Sequence, residues 1–306
     1  MPANPSSFTT AFSLLAPAKL NLFLHITGRR NDGYHELQTL FQLLDFGDRL
    51  TFEPTQSGVI SLHCDYSSIL TESSTFVSSG GFIPSRCMPL DDNLIMQAAR
   101  RLQQLSGLDV EGVKITLNKK IPSGAGLGGG SSDAAATLIA LKRIWKLDLS
   151  EQHLCEIGLE LGADVPVFIQ GRSAWAEGIG EQLQPVDLGE SWYLVITPNC
   201  SVSTAEIFCH EHLTRNSPAI KMADFLAGRS RNDCEHVTRQ IYPQVHEALK
   251  WLGQFGDAKM TGTGSSIFAL FVDEEAARQS LKKLPEHFNG FVAKGINSLE
   301  HRFNEA

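Results

Sequence analysis

The chain has 306 residues with 34 acidic and 26 basic side chains, a net charge of −8 with histidine neutral. That acidic balance argues against a nucleic-acid backbone as the main partner, and no apolar run approaches the ~18 residues needed to span a bilayer. The length suits two domains or one large one, and 42% hydrophobic with 20% charged residues is ordinary for a globular protein. Met-Pro-Ala-Asn-Pro-Ser-Ser at the start lacks the basic and apolar regions of a secretory signal, so a cytoplasmic protein is expected. Six scattered cysteines with no CxxC pair read as free thiols rather than a zinc site.

In chain order, residues 1–13 read as a loose leader rich in Ser, Thr and Pro. Residues 14–26 read as a strand with Leu20, Leu22 and Leu24 on one face and Lys19 and Asn21 on the other, because side chains alternate. Residues 34–44 form a second strand, broken at Gly47-Asp48. Residues 50–53 and 59–63 suggest a hairpin, and 64–90 a long surface loop. Asp91-Asp92-Asn93 opens a helix that ends at Gly107. A strand at 113–117 then runs into Pro122-Ser123-Gly124-Ala125-Gly126-Leu127-Gly128-Gly129-Gly130-Ser131-Ser132, and Ala134, Leu138, Leu141 and Trp145 follow at helical spacing. Ser150 caps a helix through Leu161. Gly162-Ala163-Asp164-Val165-Pro166 makes a sharp transition that sets Asp164 at a helix N-terminus or tight turn. After a short strand at 174–178, a division at 181/182 separates residues 1–181 from 182–306. The second part reads as a strand at 192–197, a helix from Ser203 through Leu213 with capping-box spacing, and a long helix at 234–252. A strand pair follows around Gly262-Thr263-Gly264-Ser265, then a helix at 274–284 and a strand at 290–294. Strands interleaved with helices give an α+β class.

Five glycines in seven residues cost chain entropy that folding alone does not explain. Placed between a strand and a helix, they make a phosphate cradle of backbone N–H groups at a helix N-terminus. It is no Walker loop, since Gly130 is followed by Ser131 with no lysine. Nor does a loop 122 residues into the chain suit the dinucleotide fingerprint.

Pro17-Ala-Lys-Leu-Asn-Leu, the glycine stretch at 122–132 and Gly262-Thr-Gly-Ser together resemble the three motifs of the GHMP kinases, and the similarity runs from about Leu14 to His301. The resemblance implies two domains, an N-terminal one like domain 2 of ribosomal protein S5 and a C-terminal ferredoxin-like α/β sandwich. Asp32-Gly-Tyr-His-Glu-Leu-Gln-Thr-Leu and Leu161-Gly-Ala-Asp-Val-Pro-Val-Phe resemble one branch of that superfamily. Its reaction carries the γ-phosphoryl group of ATP to the 2-hydroxyl of a cytidine-diphosphate-linked methylerythritol, a step of the non-mevalonate isoprenoid route. Lys19 and Asp164 then match the catalytic pair. Residues Pro122 to Ser132 match the ATP loop, with Ser131 and Ser132 offering hydroxyls to phosphate or to the Mg2+ that accompanies ATP. Asn21, Tyr34, His35, Thr204 and Phe208 match substrate contacts, and Ala205 stands where relatives often carry proline. The expected partner is that small molecule, with no nucleic acid or membrane, and the protein is expected to be a monomer or weak homodimer. No ligand cluster for a metal is evident. Rival readings are another GHMP small-molecule kinase, which would share the glycine loop but not Gly-Tyr-His-Glu-Leu, and a non-catalytic nucleotide-binding module.

Overall fold

The computed structural model describes residues 10–66, 91–107 and 110–299, with the backbone of 304–305. Most of the expected leader and of the 64–90 loop lies outside the described residues. The two opening strands are β1 (Phe12–Arg29) and β2 (His35–Thr55). They pair antiparallel along almost their whole length, with register shifts at Asn21/Leu24, Ile26/Gly28 and Pro17/Lys19; the first of these takes Leu24 off the expected Leu20/Leu22 face and onto the side of Lys19 and Asn21. Such a bulge re-aims the side chains that follow it. The expected break at Gly47-Asp48 does not occur. Gly47 lies opposite Pro17, where a Cβ would sit 2.7 Å from the Pro17 Cα and collide with the Ala16 carbonyl oxygen. The glycine thus admits the neighbouring backbone instead of ending the strand.

The expected hairpin is also revised. β3 (Ile60–Asp65) runs parallel to β4 (Gly112–Asn118), with Ile60 opposite Val113, and β4 lies between it and β2. On this sheet lie α1 (Leu94–Ser106), capped by the Asn93 side chain accepting from Ile95 N, and α2 (Gly129–Ile144). They are joined by α3 (Glu151–Leu161) and α4 (Val165–Gln170). Leu102, Leu138, Leu141, Phe52 and Ile115 form their shared core.

The hairpin β5 (Ala174–Glu177) and β6 (Gln182–Pro185) extends β2, with Ala174 opposite Pro185. This pairing crosses 181/182, so we propose that the division of the chain falls instead in the connection at 186–191. Beyond it lie β7 (Trp192–Pro198), α5 (Thr204–Cys209) and α6 (Met222–Leu226). The helix from Ser203 is shorter than its capping box suggests, since His210 is already extended. The long helix expected at 234–252 is two, α7 (Glu235–Ile241) and α8 (Pro243–Leu252), with Tyr242 extended between them. Proline has no N–H to donate and pushes its predecessor out of the helical region. β8 (Lys259–Met260), β9 (Ile267–Phe271), α9 (Glu274–Leu281) and β10 (Phe288–Ile296) complete this half. β10 pairs with β7 along most of its length and with β2 at Gly295 and Ile296. Both halves therefore share one sheet, ordered β1-β2-β10-β7-β9-β8 through its centre.

Candidate active site

Gly124, Gly126 and Gly128 adopt φ of 66°, 76° and 72°, which L side chains rarely reach. Gly128 ends the loop as the N-cap of α2, and its carbonyl accepts from Ser132 N at 2.9 Å. The N–H groups before Ser132 have no partner within the helix, and the dipole there favours an anion. No acidic residue occupies the first turn. A Cβ on Gly126 would strike the Thr261 carbonyl oxygen, so this glycine lets the second glycine turn close on the first loop. Ser266 N donates to Ala125 O at 3.0 Å and Thr261 Oγ1 to Gly126 O at 3.3 Å, fastening the two turns together.

Beneath the loop lies a buried cluster that motif reading missed. Lys119 Nζ, just after β4, donates to Asp48 at 2.5 Å and to Asp133 at 2.8 Å. Asp48 Oδ1 accepts from Lys120 N and Ile121 N at 2.6 and 2.8 Å. Burial would lower the Lys119 pKa, but Asp133 and Asp48 outweigh it and hold the ammonium charged. Burial raises Asp133 well above the ordinary carboxylate range despite Lys119, and its Oδ1 has no partner. Asp48 thus ties the start of the glycine loop to β2, and Lys119 ties it to α2.

Lys19 follows the β1 bulge and is buried. Its Nζ donates to Asn21 Oδ1 at 2.6 Å, lies 3.2 Å from Asp164 Oδ2, and sits 5.4 Å from the centre of the Phe41 ring. Asn21 Nδ2 donates to Thr39 Oγ1 at 3.0 Å, and its backbone N–H to Thr261 Oγ1 at 2.9 Å. Asp164 is the N-cap of α4, yet its side chain makes no capping bond and remains 33% exposed. It turns instead toward Lys19.

Lys19, Asn21, Ser131, Asp164, Thr204 and Phe208 all line one cleft of about 270 Å³, roofed by Gly126, Gly128 and Gly262. Ser132 does not join them: its hydroxyl is buried, has no partner, and faces Pro17 and Phe168. The side chains of Ala125 and Leu127 are also buried, which leaves their backbone as the part available to a ligand. Pro122 is half-buried and Ser123 is exposed. A larger cavity of about 810 Å³ lies between α2, α3 and the end of α4, and none of the expected site residues lines it.

Tyr34 and His35 do not line this cleft: the His35 ring stacks on the cleft residue Phe208 with centroids 5.1 Å apart, and Tyr34 is 62% exposed. Burial lowers the His35 pKa, and Arg215 and Arg29 lower it further. Thr204 Oγ1 and Thr263 Oγ1 are 3.1 Å apart, which brings the second glycine turn to this wall. Leu37, Thr39 and Phe41 also line the cleft. Their spacing of two along β2 was a legible signal, whereas Thr261 and Arg215 had none.

The models described as GHMP kinases N terminal domain and GHMP kinases C terminal match residues 93–172 and 216–290. The chain belongs to the GHMP kinases, and its fold is their two-domain α+β arrangement. Among its relatives, the 4-diphosphocytidyl-2-C-methyl-D-erythritol kinase of Pseudomonas aeruginosa (strain UCBPP-PA14) is 52% identical over 95% of this chain and 96% of its own length. The protein of that name from Marinobacter nauticus is 49% identical, with 94% and 95% covered. A crystal structure of 4-(cytidine 5'-diphospho)-2C-methyl-D-erythritol kinase superposes with a TM-score of 0.74 at 31% identity, covering 92% of this chain and 98% of that one. The mevalonate kinase of Methanococcus jannaschii, at 17% identity and a TM-score of 0.65 over 96% and 100%, shares the fold.

Proposed function

We propose that this chain transfers the γ-phosphoryl group of ATP to the 2-hydroxyl of 4-diphosphocytidyl-2-C-methyl-D-erythritol, in the methylerythritol phosphate route to isoprenoid precursors. The observation that carries the reading is the Lys19–Asp164 pair, 3.2 Å apart, in the cleft that the helix N-terminus of the glycine loop also lines. The near-full-length relatives at about half identity support the choice of acceptor.

Phosphoryl transfer passes through a loose transition state, so the protein chiefly positions reactants and stabilises charge. Backbone N–H groups of residues 124–131 would hold the triphosphate, with the positive end of α2 behind them. A carboxylate is too weak a base to deprotonate an alcohol in the ground state. Asp164 instead takes the proton as the hydroxyl oxygen bonds to phosphorus and the bond to the ADP oxygen breaks, a contribution of roughly 10²–10⁴-fold. Lys19 keeps Asp164 oriented and offsets the negative charge that builds between them. Asn21 limits the lysine's freedom through its 2.6 Å bond. The aromatic rings of Tyr34 and Phe208 would take the cytosine, each stacked base contributing about 1–3 kcal/mol.

Mg2+ would come bound to ATP, leaving few ligands for the protein to supply. The Ser131 hydroxyl, on the cleft at the start of α2, would offer it a hard oxygen donor. Bound there, it would neutralise charge on the transferring group. Among the described residues no helix is long and apolar enough to cross a membrane, and we place the protein in the cytoplasm, as a monomer or weak homodimer without nucleic-acid partners. The test is ADP release from Mg-ATP and the cytidine-linked substrate, followed by a coupled assay. Turnover is expected with that acceptor and not with free methylerythritol. Silence on adding the cytidine-linked compound would sink the assignment.

A further inference from the structure

We propose that Arg215 is a positioning residue that makes the base pocket select cytosine over uracil, by fixing which nitrogen of His35 carries the proton. The proposal rests on the cytidine reading above and extends it to a residue that no motif of the chain contains.

Arg215 lies in the connection between α5 and α6. Its Nε donates to His35 Nε2 at 3.1 Å. Its Nη2 donates to the carbonyls of Phe208 and His210 at 2.9 and 2.8 Å, and its Nη1 to that of Leu213 at 3.2 Å. A guanidinium can only donate. The His35 Nε2 must therefore accept, and in the neutral ring the proton is then on Nδ1. No partner for Nδ1 occurs among the described residues, and the ring is held flat against Phe208. One side chain thus sets the tautomer of His35, its ring plane, and the backbone of the stacking residue opposite. Four of the five donors of Arg215 are spent within the protein, so its part is to position and not to touch the ligand.

The chemistry of the two pyrimidines differs at the edge such a donor meets. Cytosine presents N3 as an acceptor, whereas uracil presents N3–H. A fixed Nδ1–H satisfies the first and opposes the second, and sites that leave a buried polar group unpaired discriminate strongly. The charged groups that face His35 are Arg215 from the α5–α6 connection and Arg29, its partner across the β1–β2 pair. Both are cations and both favour the neutral ring. Protonation would turn Nε2 into a donor aimed at a donor and break the clamp.

The experiment measures the affinities of CDP, UDP and ATP by calorimetry for the wild type, Arg215→Met and Arg215→Lys, across pH. Wild type is expected to prefer CDP to UDP and to lose CDP affinity as the pH falls through the depressed ionisation of His35. In Arg215→Met, CDP affinity falls about tenfold, the scale of one such hydrogen bond. The CDP preference vanishes, the acid limb is lost because no guanidinium is left for a protonated Nε2 to oppose, and ATP affinity holds. Arg215→Lys, with the charge and one donor, recovers part of the preference. An Arg215→Met protein that keeps the CDP preference, or loses CDP and ATP together, overturns the positioning role. A wild type with no preference between CDP and UDP overturns the cytidine reading and this inference with it.

Discussion

Lys19 is held from three sides, by Asn21 Oδ1, by Asp164 Oδ2 and by the face of Phe41. A buried ammonium is tolerated where it is paired and hydrogen-bonded, and here its partners also aim it. Asp164 is the more exposed member of the pair and makes no bond to its own helix, so it is free to take a proton without breaking a cap. In Asp164→Asn, kcat is expected to fall by about 10²–10⁴-fold, the range for losing a positioned proton acceptor, while ATP affinity stays near wild type. Steady-state kinetics with both substrates varied will show it, and near-normal turnover would contradict the role. Asp164 and Lys19 were legible because each sits in a short, distinctive string. Arg215 was not, since nothing around Thr214-Arg215-Asn216 marks one arginine among the others.

At the scale of elements, the glycine loop is a rigid feature with contacts on both sides. Gly126→Ala would place a methyl group at φ of 76° and against the Thr261 carbonyl. The strain of that backbone alone is about 1–3 kcal/mol. A lower Tm and weaker ATP affinity are expected together, because the second glycine turn must move away from the first. A loss of stability with intact ATP affinity would show that the turns do not cooperate. The Lys119–Asp48–Asp133 cluster braces the same loop from below, and its two carboxyls are unequal. Asp48 accepts from Lys119 and two backbone N–H groups, whereas Asp133 leaves one buried oxygen without a partner. Asp48→Ala is expected to cost about 3 kcal/mol or more, as breaking a buried pair does. Asp133→Asn is expected to hold or raise stability. Because the native state keeps the Asp133 proton to higher pH than the unfolded chain does, wild-type stability should decline as pH rises above the ordinary carboxylate range. Asp133→Asn should remove that decline, which thermal melts across pH will read. An Asp133→Asn protein that melts well below wild type at neutral pH would overturn this account.

Over the whole molecule, the cleft exists because strands from both ends of the chain meet. β10 bonds to β2 on one side and β7 on the other. Gly295 makes the approach possible, since a Cβ there would lie 2.8 Å from Gln42 Cδ and 3.0 Å from Tyr193 Cε2. Asn232 holds the second glycine turn by donating to the carbonyls of Met260 and Gly262, both at 2.8 Å, and across the two halves Leu24 N donates to Arg231 O at 3.0 Å and Asp233 N to Leu24 O at 2.8 Å. With a continuous sheet and bonds on both faces, the two halves are expected to unfold in a single calorimetric transition whose calorimetric and van't Hoff enthalpies agree. Two resolved transitions would mean that the shared sheet is a weak joint.

The sequence by itself determined the class of fold and the place of the glycine loop between a strand and a helix. Glycine spacing, helix caps and strand alternation are local properties, and the loop from Pro122 to Ser132, the cap at Asn93 and the Lys19/Asn21 face all follow from them. Proline's effect is local too, and the split at Pro243 was available in principle. Tertiary structure decided the rest: that β2 runs unbroken past Gly47, that β3 pairs with β4 and not β2, and that Ser131 lines the cleft while Ser132 is buried. Each of these depends on which backbone approaches which, and on charges such as Asp48 and Lys119 that are 71 residues apart. Pairings at that separation are selected by the net energy of the packed whole, and no short window of residues contains them.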